Sequence, residues 1–146
     1  METKMKIIEI RDYSEEVLNA VNNLLPQLSS SASPLTKEDL VAIINSESSH
    51  LLMAIDNGIY YGSLTLAVFS IPTGVRALIE DVVVSENARG KGVGRVLSLH
   101  AIELANQIGA KTVDLTSRPS RKAANSLYQS IGFKQRETNV YRYSNT

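Results

Sequence analysis

Apolar residues along the chain recur either at every second position or at every third and fourth, and this alternation predicts both strands and helices. Ile8 and Ile10 alternate with polar neighbours, which predicts a first strand over residues 6–11. A helical repeat then begins at Ser14, and Pro26 is expected to end or bend that helix. The apolar residues at this helical spacing are Val17, Leu18, Val21, Leu24 and Leu25.

Local turn and cap signals delimit the later elements. Thr36 with Asp39 three residues on predicts a capping box, Asn57-Gly58 predicts a tight hairpin, and Gly109 predicts a helix end. The further predicted elements are a helix over 36–44, strands over 50–55, 59–69 and 76–84, a helix over 93–108, a strand over 112–116, a helix over 120–131, and closing strands over 133–136 and 139–143.

The predicted order is therefore β-α-α-β-β-β-α-β-α-β-β. The strand over 76–84, the helix after it and the strand over 112–116 form a βαβ unit, which requires a parallel pair of strands. The earlier hairpins are antiparallel. The pattern predicts an α/β fold in which one mixed sheet carries helices on both faces.

Composition narrows the class of protein. A length of 146 residues is expected to form one domain, 1–146, and 43% hydrophobic with 21% charged residues is typical of a soluble globular domain. No apolar run approaches the roughly 20 residues that cross a bilayer, and the N-terminal residues do not lead into a secretory signal. A cytoplasmic location is the default expectation.

Charge and cysteine content exclude several kinds of site. The chain has no cysteine, so it contains no disulfide, no cysteine nucleophile and no thiolate metal site. Fifteen basic residues balance fifteen acidic ones, so no overall field favours nucleic acid or a membrane surface. His50 and His100 are isolated in the sequence, and no metal site is predicted.

A glycine-rich segment at residues 89–95 joins a β-branched strand to a long helix. Its residues are Arg89, Gly90, Lys91, Gly92, Val93, Gly94 and Arg95. Such a junction leaves backbone N–H groups at the positive end of a helix dipole, and the glycines let an anion approach the backbone closely. A diphosphate is the expected ligand. The spacing differs from the dinucleotide fingerprint G-x-G-x-x-G, and the nucleotide-triphosphate loop is absent.

Two motifs resemble those of the GNAT superfamily of acetyl-CoA-dependent N-acetyltransferases. Residues 80–94 resemble its acyl-CoA signature, and Arg89, Gly92 and Gly94 match the core pattern R/Q-x-x-G-x-G/A. Residues 124–133 resemble its later segment A-x-x-L-Y-x-x-x-G-F. The resemblance covers nearly the whole chain, and it implies the GNAT fold, acetyl-CoA as the acetyl donor and an amine as the acceptor.

The resemblance also implies cofactor contacts. The backbone of Val82, Val83 and Val84 would pair with pantetheine amides, in a slot that a bulge opens between this strand and residues 112–116. The glycine-rich loop would hold the pyrophosphate. Asn125 is implied as a further contact, although Arg121 occupies the position where many relatives carry a CoA-binding asparagine. Either Arg121 or Lys122 is an alternative phosphate contact.

Glu80 and Tyr128 are the predicted catalytic residues. A lysine-like amine is neutral in only about one molecule in 2,500 at pH 7, so Glu80, Asp81 or water must accept its proton. Asp81 faces away from Glu80 in a regular strand, and a bulge reverses that alternation. Tyr128 resembles the family's general acid, which protonates the departing thiolate. The alternative interpretations are a surface carboxylate and a core tyrosine packed with Phe133.

Without a cysteine, an acyl-cysteine route is excluded, and direct attack of the amine in a ternary complex is expected. The predicted function is acetyl transfer to a primary amine of a small molecule, peptide or protein. A non-catalytic acyl-CoA sensor is the first alternative, and an interaction domain that has lost the cofactor is the second. No motif identifies the acceptor. Pairing of an exposed C-terminal strand makes a homodimer reasonable.

Overall fold

A five-stranded sheet, whose strands lie side by side in chain order, organises most of the chain. The computed structural model describes residues 5–145, which fall into two compact units, residues 5–116 and 117–145. The elements are β1 (Lys6–Glu9), α1 (Glu15–Leu28), α2 (Lys37–Asn45), β2 (Ser49–Asp56), β3 (Ile59–Ile71), β4 (Gly74–Val84), a short 3-10 helix (Glu86–Ala88), α3 (Val93–Ile108), β5 (Thr112–Asp114) and α4 (Lys122–Ser130).

The sheet is mixed, as the sequence predicts. Strands β1 to β4 pair antiparallel, and β5 pairs parallel to β4 after the α3 crossover. The mixed α/β fold class is thereby confirmed. No helix formed by residues 5–145 combines the length and the apolar character needed to cross a membrane.

The two faces of the sheet have separate cores because successive side chains alternate between them. On one face, Leu51 and Met53 of β2 belong to a buried cluster with Val17 and Val21 of α1 and Leu40 of α2. On the other face α3 packs against β3. Burial of each such aliphatic side chain contributes about 1.5–3 kcal/mol. The core therefore fixes both faces of β4, the strand that leads into the glycine-rich loop.

At Gly62, α3 packs closely against the sheet. An added Cβ at this position would lie 3.0 Å from side-chain carbons of Val93 and Leu97 and from the Val83 carbonyl oxygen. A larger residue would force the first turns of α3 away from the sheet. The glycine in β3 therefore sets how the start of α3 sits on the strands beneath it.

The local signals for helix starts and for the hairpin are confirmed. The Ser14 hydroxyl accepts the Val17 N–H at 3.1 Å at the start of α1, and Thr36 and Asp39 form the predicted capping box of α2. Asn57 and Gly58 adopt φ of 51° and 77°, as a tight hairpin turn requires. Gly109 ends α3 in the left-handed region.

Several element boundaries differ from the predicted ones by a few residues. Pro26 lies inside α1, which continues to Leu28. The turn between the strands predicted over 59–69 and 76–84 is tighter than those bounds imply, because β3 runs to Ile71 and β4 begins at Gly74. The Lys111 ammonium donates to the Thr73 carbonyl oxygen at 3.0 Å, which helps to hold this tighter turn.

The predicted closing strands over 133–136 and 139–143 are also wrong. Within the described part of the chain, residues 133–145 form no strand, so the observed order lacks the last two elements of the predicted one. A strand is defined by ladder hydrogen bonds to a partner, and an alternating sequence supplies only the side-chain pattern. Val140, Tyr141 and Tyr143 are 74%, 88% and 89% exposed.

Candidate active site

A β-bulge interrupts β4 where the sequence places the candidate base. Thr65 of β3 pairs with Glu80, whereas Ser63 pairs with Val83, so Asp81 and Val82 both lie opposite one β3 residue. Asp81 has a φ of 50°, in the left-handed region that non-glycine residues adopt only at a cost. The bulge that the sequence analysis expected in this strand is therefore present.

The bulge changes which side chains share a face. Thr65 and Ser63 are two residues apart on β3, so their partners Glu80 and Val83 lie on the same face of the sheet. Val83 is only 7% exposed and belongs to the cluster that α1 and α2 cover. Glu80 and Asp81 are both exposed. Both candidate carboxylates are therefore accessible to solvent and to a ligand.

Beyond the bulge, one edge of β4 lacks a strand partner among the described residues. The parallel register with β5 ends at Leu78↔Asp114. Val83 and Val84 remain paired on the other edge with Ser63 and Gly62 of β3. Backbone groups at an unpaired edge are available to an extended amide chain. This edge has the exposed backbone that a pantetheine arm needs, and cofactor contact at Val82–Val84 stays a prediction.

The glycine-rich loop has the conformation that glycine permits. Gly90 and Gly92 adopt φ of 80° and 82°. A Cβ added at either position would meet no heavy atom of the described chain within 4 Å. Arg89, Lys91 and Arg95 around them are exposed. The loop is thus an open, positively charged surface over which a ligand can approach the backbone.

The start of α3 differs from the starts of α1 and α2. Gly92 is its N-cap and supplies no capping side chain, and the first turn of α3 contains no acidic residue. Helices α1 and α2 each have a capping side chain and two acidic residues in the first turn. The positive end of the α3 dipole is therefore left for an external anion. Val93 itself is 2% exposed, and its side chain lies against the sheet at Gly62.

One contact of the loop was not found by sequence reasoning. The Gln27 side-chain oxygen on α1 accepts the backbone N–H of Glu86 at 2.8 Å, just before the loop. The two residues are 59 positions apart, and a single glutamine near a helix end carries no pattern. No signal in the sequence indicated this contact.

Tyr128 lies on α4, in the second unit. Burial raises the pKa of its phenol above the usual value of 10.0, and the positive charge of Arg121 partly opposes this rise. The phenol therefore keeps its proton at neutral pH, as a general acid must. Its ring also meets Phe133 edge to face, with 5.8 Å between ring centroids. The structure thus contains the packing contact of the alternative interpretation.

Asn125 is engaged within the same segment. Its side-chain amide donates to the carbonyl oxygens of Arg118 and Arg121, each at 2.8 Å. These hydrogen bonds stabilise the turn that precedes α4, so the Asn125 amide has a structural role. Cofactor contact by Asn125 stays a prediction, as does a phosphate contact by Arg121 or Lys122.

Two features lie away from this site. The His50 ring nitrogen Nδ1 lies 3.0 Å from a carboxylate oxygen of Glu9. An open cavity of about 380 Å³ is lined by His50, Phe69, Ile108 and neighbouring residues. Ile108 ends α3, so this cavity is roughly 24 Å from Gly92, by the rise of a 16-residue helix. Among residues 5–145, no group of three or more His, Asp or Glu side chains is placed to hold a metal ion.

The sequence of residues 17–133 matches the model of the acetyltransferase (GNAT) family. The chain belongs to the GNAT family of acetyltransferases. The uncharacterised N-acetyltransferase YhfO of Bacillus subtilis is 33% identical over 66% of this chain. The chain spans 66% of the length of YhfO and 36% of that of YvbK, a second uncharacterised N-acetyltransferase of the same organism.

Solved structures of similar fold extend this GNAT assignment to most of the chain. A putative acetyltransferase from Agrobacterium tumefaciens is 26% identical, with a TM-score of 0.85 over 95% of this chain and 99% of that one. Aminoglycoside N-acetyltransferase AAC(6')-Iy, solved in complex with CoA, is 15% identical, with a TM-score of 0.79 over 100% and 98%. At that identity the second likeness concerns the fold alone.

Proposed function

We propose that this GNAT protein transfers an acetyl group from acetyl-CoA to a primary amine, on a small molecule or on a peptide or protein, by direct attack in a ternary complex. The observation that carries the proposal is the uncapped start of α3 behind an open, basic glycine loop. The family match runs from residue 17 to 133, across both units, which supports one acetyltransferase domain over 1–146.

The residues present fit acetyl-CoA. Backbone N–H groups at Gly92 to Gly94 and the charges of Arg89, Lys91 and Arg95 suit a pyrophosphate. The open edge at Val82–Val84 suits the amides of a pantetheine arm. AAC(6')-Iy, of similar fold, was solved in complex with CoA. When bound, acetyl-CoA supplies an activated acetyl carbonyl on a thiol leaving group.

Two different side chains would accept the proton of the amine and donate a proton to the thiolate. As the new N–C bond forms and the C–S bond breaks, Glu80 takes a proton from the amine and Tyr128 gives one to the departing sulfur. Glu80 is exposed at the bulge, where an incoming amine can reach it. Tyr128 holds its proton at neutral pH because a phenol has an ordinary pKa near 10, and burial raises that pKa further. Both roles are proposals, with Asp81 or water as the alternative base.

Calorimetric titration with acetyl-CoA, followed by detection of free CoA with a panel of amines, tests the activity. We expect binding, and CoA release with at least one amine. No binding would contradict the proposal and favour an interaction domain. Binding without release for any amine would favour a non-catalytic acyl-CoA sensor.

Glu80→Gln tests the base. We expect the rate to fall by about 10²–10⁴-fold, the usual contribution of a general base, with acetyl-CoA affinity unchanged. Asp81→Asn is the matched control, because Asp81 is the adjacent, equally exposed carboxylate. A fall only in Asp81→Asn would transfer the role to Asp81. A loss of less than tenfold in both variants at every pH would leave water as the base.

A further inference from the structure

We infer that Gln27 is a positioning residue, which fixes the entry to the glycine loop from helix α1; the inference rests on the proposed function. Its side-chain oxygen accepts the Glu86 N–H at 2.8 Å. Its side-chain nitrogen donates to the Asn23 carbonyl oxygen at 3.4 Å, one turn back in α1. Both polar atoms of the Gln27 side-chain amide are therefore hydrogen-bonded, and the oxygen is directed to the segment before the loop.

Glu86 begins the 3-10 helix that leads to Arg89, and the bond to Gln27 replaces a local cap there. Ser85, the residue before this helix, makes no side-chain capping bond. The Ser85 N–H instead donates to the Tyr61 carbonyl oxygen of β3 at 2.8 Å. One residue anchors the segment to the sheet, and the next anchors it to α1.

The segment between this anchor and α3 is short and hydrogen-bonded in series. The Ala88 N–H donates to the Ser85 carbonyl oxygen at 2.9 Å, and the Lys91 N–H donates to the Ala88 carbonyl oxygen at 3.2 Å. Ala88 is 1% exposed. A displacement at Glu86 therefore passes along a fixed backbone to the loop that is proposed to hold the pyrophosphate.

Helix α1 is a firm support for this contact. Leu24, one turn before Gln27, is 3% exposed within the core cluster. The bond from Gln27 thus connects a helix anchored in the core to the segment before an exposed loop. Its role is to limit the positions that the loop adopts before the ligand binds, which lowers the ordering cost of binding.

Gln27→Met and Gln27→Glu separate the hydrogen bond from packing. Methionine has a similar length and no oxygen, whereas glutamate keeps an oxygen acceptor. For Gln27→Met we expect faster hydrogen exchange at the Glu86 amide in the ligand-free protein. We also expect about three- to tenfold weaker binding of acetyl-CoA, as for loss of one hydrogen bond, with kcat at saturation nearly unchanged.

Gln27→Glu should restore slow exchange at Glu86, and also acetyl-CoA affinity when ionic strength screens the added charge. Gln107→Met is the control for the substitution itself, because Gln107 is an exposed α3 residue whose amide nitrogen bonds to Glu103 at 3.3 Å. It should change neither readout. Circular dichroism and thermal unfolding establish that each variant is folded.

Two results overturn the inference and are distinguishable from failure of the proposed function. Unchanged exchange at Glu86 in Gln27→Met would show that the contact does not order the loop. Faster exchange with unchanged acetyl-CoA affinity would show that the contact does not serve the cofactor site. In both cases the wild type binds acetyl-CoA. A wild type without binding would overturn the proposed function and this inference with it.

Discussion

Helices α2 and α4 both have nine residues, and they differ in their N-terminal capping and in the burial of their side chains. Helix α2 starts with a capping box and buries Leu40 completely. Helix α4 starts at Arg121 without a side-chain cap and has no buried residue. Both sequences have apolar residues at helical spacing. The difference teaches that spacing predicts a helix, whereas burial depends on what packs against it.

Helix α4 is instead stabilised by hydrogen bonds between its residues and the residues that flank it in the sequence. Asn125 holds the preceding turn through Arg118 and Arg121, and the Phe133 N–H donates to the Tyr128 carbonyl oxygen at 2.9 Å. The same short segment carries the proposed general acid. Substitutions in α2 should therefore appear in the free energy of unfolding, and substitutions in α4 should appear in turnover.

Leu40→Ala is the largest expected effect. Leu40 is 0% exposed, so its truncation leaves a cavity in the core under α2 and should cost about 2–5 kcal/mol of unfolding free energy. Leu127→Ala is the matched change in α4, where the side chain is only half-buried. It should cost clearly less. Urea unfolding of both variants measures the difference.

An equal loss of unfolding free energy in Leu40→Ala and Leu127→Ala would contradict the difference between α2 and α4. They would show that α4 is packed in solution as firmly as α2. Repeating the measurement over a range of protein concentrations shows whether a second copy provides that packing, since the stability of a dimer depends on concentration.

Tyr128→Phe is expected to have the second-largest effect. The substitution keeps the ring that meets Phe133 and removes only the hydroxyl. If the hydroxyl is the acid, turnover should fall by about 10²-fold or more, with little change in acetyl-CoA affinity or in unfolding. Steady-state kinetics with calorimetry separates these quantities.

The reverse pattern, weaker binding with unchanged turnover, would support a packing role for Tyr128. The pH profile sharpens the test. Because burial raises the pKa of the phenol above 10.0, the wild type should lose no activity through Tyr128 between pH 7 and pH 9. A loss in that range that disappears in Tyr128→Phe would contradict the raised pKa.

The sequence predicted those elements that local chemistry decides. Asn57-Gly58 and the Thr36 box act within four residues, and the glycines of the loop are needed for its positive φ. The family motif identified the region around Arg89 for the same reason: a short segment carries both the charge and the backbone freedom.

The remaining features depend on residues far apart in the chain. The prediction of the closing strands was wrong because the alternation of apolar and polar residues at Val140 to Tyr143 does not reveal whether a partner strand is present. The bulge was expected, but its left-handed residue is Asp81 rather than a glycine, so no residue type indicated its position. The Gln27–Glu86 contact joins positions 59 apart. Pattern reasoning has no access to such contacts.

The smallest expected effect is at the start of α2, where Thr36→Ala tests the cap that α4 lacks. The Thr36 hydroxyl accepts the Asp39 N–H at 3.1 Å, and an Asp39 carboxylate oxygen accepts the Thr36 N–H at 3.1 Å. Loss of the hydroxyl should cost about 1 kcal/mol of unfolding free energy. Thr36→Ser keeps the hydroxyl and should cost much less. Urea unfolding at pH 7 measures both.

The same cap should give α2 a dependence on pH. Hydrogen bonds from the Thr36 backbone and side chain lower the pKa of Asp39 below its usual value of 3.8. A lowered folded-state pKa contributes stability above the unfolded-state value, and this contribution is lost as the pH falls through the folded-state value. Asp39→Asn should therefore flatten the loss of stability below about pH 4 in urea unfolding. An equally steep loss in Asp39→Asn would show that the capping box holds no charge that matters to folding, and the contrast between the starts of α2 and α4 would then rest on burial alone.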